Sequence, residues 1–186
     1  MFAELANPRQ LALSESGIVY AGSLRAGNLY GVLDANSDGS ADKVVTIDHN
    51  LTLPTGIAIR DGDLYVGAVN KLLVYQNIDR TFEASPEPFV LYDQLPEETH
   101  HGWKFLEFGP DGLLYIPIGA PCNICEPEEE FATLNTLDIN NPELGITKYA
   151  MGIRNTVGFD WDPKTDDLWF TDNGGDGLGD EMPADE

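Results

Sequence analysis

His100-His101-Gly102-Trp103-Lys104-Phe105-Leu106-Glu107-Phe108-Gly109-Pro110-Asp111-Gly112-Leu113-Leu114-Tyr115-Ile116-Pro117-Ile118-Gly119 reads as a strand, a tight turn and a returning strand. Phe105 to Phe108 is an aromatic-rich run suited to a sheet. Gly109-Pro110-Asp111-Gly112 reverses the chain, because proline suits an early turn position and glycine a left-handed one. Leu113 to Ile118 runs back. Two of the three histidines stand just ahead of the first strand. A histidine at a strand mouth can act as a base near neutral pH. It can equally be a surface or capping residue.

The hairpin is one copy of a degenerate repeat. Related units lie at 11–22, 56–67, 105–116 and 157–170, each an apolar run, a turn, then a strand with an aromatic residue. The matching aromatics are Tyr20, Tyr65, Tyr115 and Trp169, roughly 45 to 54 residues apart. Residues 28–33, 43–47, 71–75 and 88–92 supply further strand candidates, giving about four strands per repeat. Helical periodicity is scarce; Glu128 to Leu137 offers at most a short turn. The pattern predicts an all-β chain, a partial β-propeller of about three to four blades, each a sheet of four antiparallel strands. Residues 1–186 are taken as one incomplete propeller domain. An open arc would leave an apolar blade face and sheet edges exposed, so further blades are expected beyond this piece.

Composition narrows the function. Ten basic against 32 acidic residues give a net charge of −22, which disfavours nucleic acid and anionic membrane as partners. The apolar content of 42% suffices for a core. No apolar run is long enough to span a bilayer. Met1 to Leu5 shows no basic region leading into an apolar stretch, so a signal peptide is not visible. The only cysteines, Cys122 and Cys125, suit a local disulfide or two free thiols.

Four segments can carry chemistry. In Asp34-Ala35-Asn36-Ser37-Asp38-Gly39-Ser40-Ala41-Asp42, oxygens at alternate positions followed by glycine match what a calcium ion needs. The bidentate glutamate of an EF-hand is absent, since Val45 holds that place, and an Asx-rich turn that binds nothing fits as well. The second segment is the pair His100-His101. The third is Gly152-Ile153-Arg154-Asn155-Thr156, where a guanidinium can fork onto carboxylates or a quinone oxygen, or simply hold adjacent strands. The fourth is Trp169-Phe170-Thr171-Asp172-Asn173-Gly174-Gly175-Asp176, a strand running into a glycine-rich acidic loop able to turn carbonyls toward a cation. His101, Arg154-Asn155 and Asn173-Gly174-Gly175 all sit at strand ends of successive repeats. In a propeller such positions converge on one mouth of the central channel.

Together these segments resemble the glucose/sorbosone dehydrogenase family, soluble quinoproteins that use pyrroloquinoline quinone (PQQ) and calcium. The sorbosone dehydrogenase-like branch is the nearest in character. The likeness rests on 100–115, on Gly119-Ala120-Pro121-Cys122-Asn123-Ile124-Cys125, on 152–161 and on 169–176. It implies a six-bladed propeller, of which this chain would be the N-terminal portion. It implies His101 as general base for the C1 hydroxyl of an aldose, with hydride passing to the quinone. Arg154 and Asn155 would polarise the quinone carbonyls and, with Asn173, position the cofactor. The peptide oxygens of Gly174 and Gly175 would hold the cofactor calcium. Glu186 matches an acidic residue at a second, structural calcium. Partners would be a sugar and an electron acceptor, a cytochrome or a quinone, in the periplasm or outside the cell. Three departures stand out. Ala120 replaces an aspartate that supports the histidine in glucose-oxidising members, so Trp103 or a water must set that ring. Lys104 replaces an arginine, and Gly175 a proline. Two rivals remain: a non-catalytic, calcium-stabilised propeller that binds sugars or proteins, and a propeller lactonase with a catalytic calcium.

Overall fold

A computed structural model of the chain describes residues 1–177 and residue 179. These described residues form fourteen strands in sequence order. The first sheet is β1 (Pro8–Leu13), β2 (Val19–Ser23), β3 (Leu29–Leu33) and β4 (Lys43–Asp48). The second is β5 (Gly56–Arg60), β6 (Asp63–Gly67), β7 (Leu72–Tyr75) and β8 (Phe89–Tyr92). The third is β9 (Glu107–Phe108), β10 (Leu114–Ile118), β11 (Thr133–Leu137) and β12 (Thr147–Met151). A hairpin of β13 (Phe159–Trp161) and β14 (Leu168–Phe170) follows. Every pairing is antiparallel between consecutive strands, the meander of a propeller blade. The only regular helix among the described residues is one turn, α1 (Ile78–Thr81).

The two middle sheets are covered on both faces, and strand alternation explains how. Leu64 and Val66 of β6 pack into the layer between sheets one and two, beside Tyr20, Leu29 and Ile57. Tyr65 between them points the other way, into the layer shared with Leu114, Ile116 and Leu137 of sheet three. The alternation recurs in β10, where Tyr115 joins Leu134 and Phe159 in the next layer. A strand with a period of two and apolar residues at every position serves two layers at once. Such strands stack sheets face to face, and the fold is a partial β-propeller. The first strands β1, β5 and β9 meet across successive sheets, and β2 also touches β5. At the two ends of the arc, Leu11 and Leu13 on β1 and Trp169 on β14 are exposed. Trp169 thus keeps the repeat position of Tyr20, Tyr65 and Tyr115 but not their burial, because among the described residues β13–β14 pairs as two strands only.

The Gly109–Gly112 turn forms as read: Gly112 N–H donates to Gly109 O at 2.9 Å, and Gly112 adopts φ +84°. The strand before it is shorter than expected, Glu107–Phe108 rather than 105–108. The reason lies in Gln10. Its amide donates to Leu106 O at 2.7 Å, and its Oε1 accepts from Leu106 N at 3.0 Å and Ile57 N at 2.9 Å. One side chain thus takes the place of a ladder and ties the three innermost segments together. The segment 128–137 also differs. A turn closes at Phe131, whose N–H donates to Glu128 O, and Thr133–Leu137 is a fully buried strand. Its buried Asn135 is satisfied by Thr133 Oγ1 at 2.8 Å, so a polar residue in that strand costs little.

Lys104 is the exception inside this core. It is 3% exposed, between sheets two and three, and its ammonium donates to Gly102 O at 2.7 Å. Burial pushes its pKa down from 10.5 to about 8. Between those values the unfolded chain holds the proton and the folded chain does not. Unfolding free energy therefore rises with pH across that window, and the cost is fully present below pH 8. It amounts to about 3 kcal/mol. Lys104→Met is expected to stabilise the protein at pH 7 by about 1–3 kcal/mol and to flatten the rise between pH 8 and 10. Urea titrations across that range check this; a variant no more stable than the parent at pH 7 refutes it.

Candidate active site

Four segments meet at one end of the stack: 101–103 ahead of β9, 119–123 after β10, 153–156 between β12 and β13, and 172–176 after β14. The first, third and fourth of them line a cleft of about 310 Å³. His101, Arg154, Asn155, Asn173, Gly174 and Gly175 all line it, with Trp103 and Asp176. The six residues singled out for one channel mouth are therefore neighbours, although up to 74 positions separate them in the chain.

His101 is 7% exposed and sits at φ +50°, a left-handed conformation that non-glycine residues rarely adopt. Its Nδ1 lies 2.8 Å from Ala120 O. A carbonyl can only accept, so Nδ1 carries the proton and the neutral ring keeps its lone pair on Nε2. The carboxylate support missing at position 120 is thus replaced by the peptide oxygen of the same residue. Trp103 adds an edge contact at 5.5 Å between centroids. Burial pushes the His101 pKa down, as do the nearby His100 and Arg154, against the opposing pull of the Ala120 carbonyl and Asp176. The imidazole is consequently neutral, and a base, at neutral pH. Gly119 makes this placement possible: a Cβ there would stand 2.6 Å from His101 Cβ and 2.9 Å from His101 O.

Arg154 is fixed by its surroundings. Nη1 donates to Asn173 O at 2.8 Å, Nε to Asn123 O at 3.0 Å and Nη2 to Asn123 Oδ1 at 2.8 Å, with Asp176 at 3.7 Å. Its backbone is fixed too. The Asp172 carboxylate accepts from Arg154 N at 3.1 Å and from Asn155 N at 2.8 Å. Asn173 N then donates to Asn155 O at 3.2 Å. Asp172 and Asn123 hold the site together, yet neither stood out in the sequence. Asp172 carried a usable signal, since an Asx residue at a strand end often captures nearby amides. Asn123 carried none beyond its place between two cysteines, which are joined by a disulfide.

The other predicted residues lie elsewhere. Asp34, Asn36, Asp38 and Asp42 share an exposed loop between β3 and β4. Their oxygens accept from the loop's own amides, Asp34 from Asp38 N and Gly39 N, Asn36 from Asp38 N, and Asp42 from Ala35 N. Among the described residues no group of three or more His, Cys, Asp or Glu is arranged to hold a metal ion. Glu186 lies outside the described residues.

The cleft offers a base, a guanidinium and one further feature. Trp103 Nε1 is buried with no hydrogen-bond partner among the described residues. A buried donor without an acceptor is costly. The Arg154 guanidinium suits a planar, acceptor-rich anion such as a quinone carboxylate. A larger groove of about 770 Å³ lies beside it, between the disulfide loop and β11–β12, and shares Arg154 and Gly175 with it.

No protein-family profile matches the chain. A curated protein of Borreliella burgdorferi without assigned function is 28% identical over 189 aligned residues, covering 96% of this chain and 48% of that protein. Among solved structures, a family AA12 carbohydrate-active enzyme of Trichoderma reesei superposes with a TM-score of 0.82 at 18% identity, over 96% of this chain and 49% of that one. The holo PQQ domain of a pyranose dehydrogenase from Coprinopsis cinerea gives 0.78 at 16% identity, over 100% and 49%. The PQQ-bound aldose sugar dehydrogenase of Streptomyces coelicolor gives 0.69 at 20% identity, over 94% and 59%. These likenesses show the fold. The chain spans about half the length of the proteins it matches.

Proposed function

We propose that the chain supplies the catalytic-base side of a PQQ-dependent sugar dehydrogenase. One observation carries this reading: a histidine whose tautomer leaves Nε2 unprotonated shares a cleft with a fixed guanidinium. The likeness to three sugar-oxidising or carbohydrate-active structures, two of them holding PQQ, supports it.

PQQ, when bound, supplies the two-electron acceptor. His101 takes the proton of the C1 hydroxyl of an aldose or related sugar, and the same carbon gives up its hydride. Arg154 and Asn155 would hold and polarise the acceptor's carbonyl oxygens, with Asn173 and Trp103 bordering it. The peptide oxygens of Gly174 and Gly175 suit a calcium ion beside it, whereas the oxygens of the 34–42 loop cap its own amides and are not arranged for one. Glu186 would be an acidic ligand of a second, structural calcium. The disulfide agrees with a periplasmic or secreted protein. No helix among the described residues is long and apolar enough to cross a membrane. A cytochrome or quinone would then remove the electrons.

The test is reconstitution of the full-length protein with PQQ and calcium. Aldose-dependent dye reduction and quinone absorbance on the protein are expected. Calcium binding without either result leaves the sugar-binding propeller, and lactone hydrolysis in place of dye reduction gives the lactonase.

A further inference from the structure

We propose that Asn123, set by the Cys122–Cys125 disulfide, is the positioning residue that fixes the Arg154 guanidinium, so that the site is competent only when that loop is oxidised. The role rests on the proposed function; the contacts do not.

Asn123 uses each of its amide groups. Its backbone oxygen accepts from Arg154 Nε at 3.0 Å. Its side-chain oxygen accepts from Arg154 Nη2 at 2.8 Å and from Asp176 N at 2.8 Å. Its side-chain nitrogen donates to Asp176 O at 2.9 Å. One residue therefore joins the loop after β10 to the guanidinium and to the glycine-rich loop after β14. Arg154 reaches that same loop through Asn173 O, at 2.8 Å, so the three segments form a closed ring of hydrogen bonds.

Asn123 has no secondary structure of its own. It lies in a stretch with no strand or helix, followed by exposed Ile124 and Cys125. What limits its backbone is the disulfide, which closes a loop across three positions. A covalent ring that small removes most of the freedom a surface loop would have to lose on each binding event. Two fixed hydrogen bonds on one edge of the guanidinium set its plane, and a planar cation recognises carbonyl or carboxylate oxygens only in the right plane. The half-exposed position of the pair also leaves it open to a dithiol. Such a reductant delivers two electrons and two protons, leaves Cys122 and Cys125 as thiols, and departs as its own disulfide. The loop then loosens without loss of any core contact.

The experiment follows Arg154 directly. Exchange with solvent of its Nη2–H, the group bonded to the Asn123 side chain, is measured by nuclear magnetic resonance on the full-length protein. PQQ affinity is read in parallel from quinone absorbance. Asn123→Ala and Cys122→Ser/Cys125→Ser are each expected to speed the exchange at least tenfold and to weaken PQQ at least tenfold. Asn123→Asp keeps the acceptor for Nη2 and is expected to stay within threefold of the parent. Parent protein treated with dithiothreitol and held reduced should match the double serine variant, a control that needs no refolding. Unchanged exchange in Asn123→Ala or in the reduced protein overturns the proposal. If the parent itself binds no PQQ, the proposed function fails, and the exchange rates still decide whether Asn123 and the disulfide position Arg154.

Discussion

His101→Asn is expected to lower kcat of the reconstituted dehydrogenase by about 10²- to 10⁴-fold, the range for loss of a general base. The fold should survive. Position 101 has φ +50°, and asparagine tolerates that conformation better than most residues. Its amide can also donate to Ala120 O, the acceptor now used by the ring. The variant therefore removes the base and little else. The pH profile separates this role from a structural one. The parent's kcat/KM should fall on the acid side only below 6.5, because burial holds the folded imidazole beneath that ordinary value. Stability should follow with the same sign. The unfolded chain takes up a proton as pH drops through 6.5 while the folded one resists, so part of the stability is lost there. Both acid limbs should vanish in His101→Asn. A variant that keeps either the parent's rate or its acid limb ends the assignment of His101 as the base.

The blade pattern was legible because it is local. A glycine-rich turn between an apolar run and an aromatic strand needs only a dozen residues, and the burial of Tyr20, Tyr65 and Tyr115 repeats it in space. The convergence of residues 101, 154 and 173–175 followed from the fold class, since equivalent strand ends lie on one side of a propeller. What stayed hidden depends on contacts between blades. Gln10 replaces strand pairing at Leu106 from 96 positions away, and no window of sequence shows that. The buried strand Thr133–Leu137 mixes threonine and asparagine among leucines, so it lacks the apolar run that marked β6 and β10. The support of His101 was sought in a side chain or a water. A backbone oxygen provides it, and backbone oxygens leave no mark in a sequence.

Asp172 shows the same limit and gives the second large effect. Its carboxylate is the common acceptor for the amides of Arg154 and Asn155. Asp172→Ala leaves both N–H groups without a partner at a half-buried position, a cost of about 2–4 kcal/mol. The larger consequence is geometric. Those two amides fix where the Arg154 and Asn155 side chains begin, and an error of about 1 Å in a positioned group can cost about 10²-fold in rate. A fall of that size in kcat/KM is expected, together with weaker PQQ binding. Asp172→Asn retains one acceptor oxygen and should keep part of each property. The His101 acid limb should stay in place in both variants, because Ala120 O and not Asp172 orients that ring. Thermal melts, PQQ titrations and pH–rate profiles on the same preparations distinguish loss of position from loss of the base. An Asp172→Ala protein that melts with the parent and binds PQQ as tightly would show that the Arg154-Asn155 segment holds its place without this carboxylate, through the Arg154–Asn173 and Asn173–Asn155 hydrogen bonds alone.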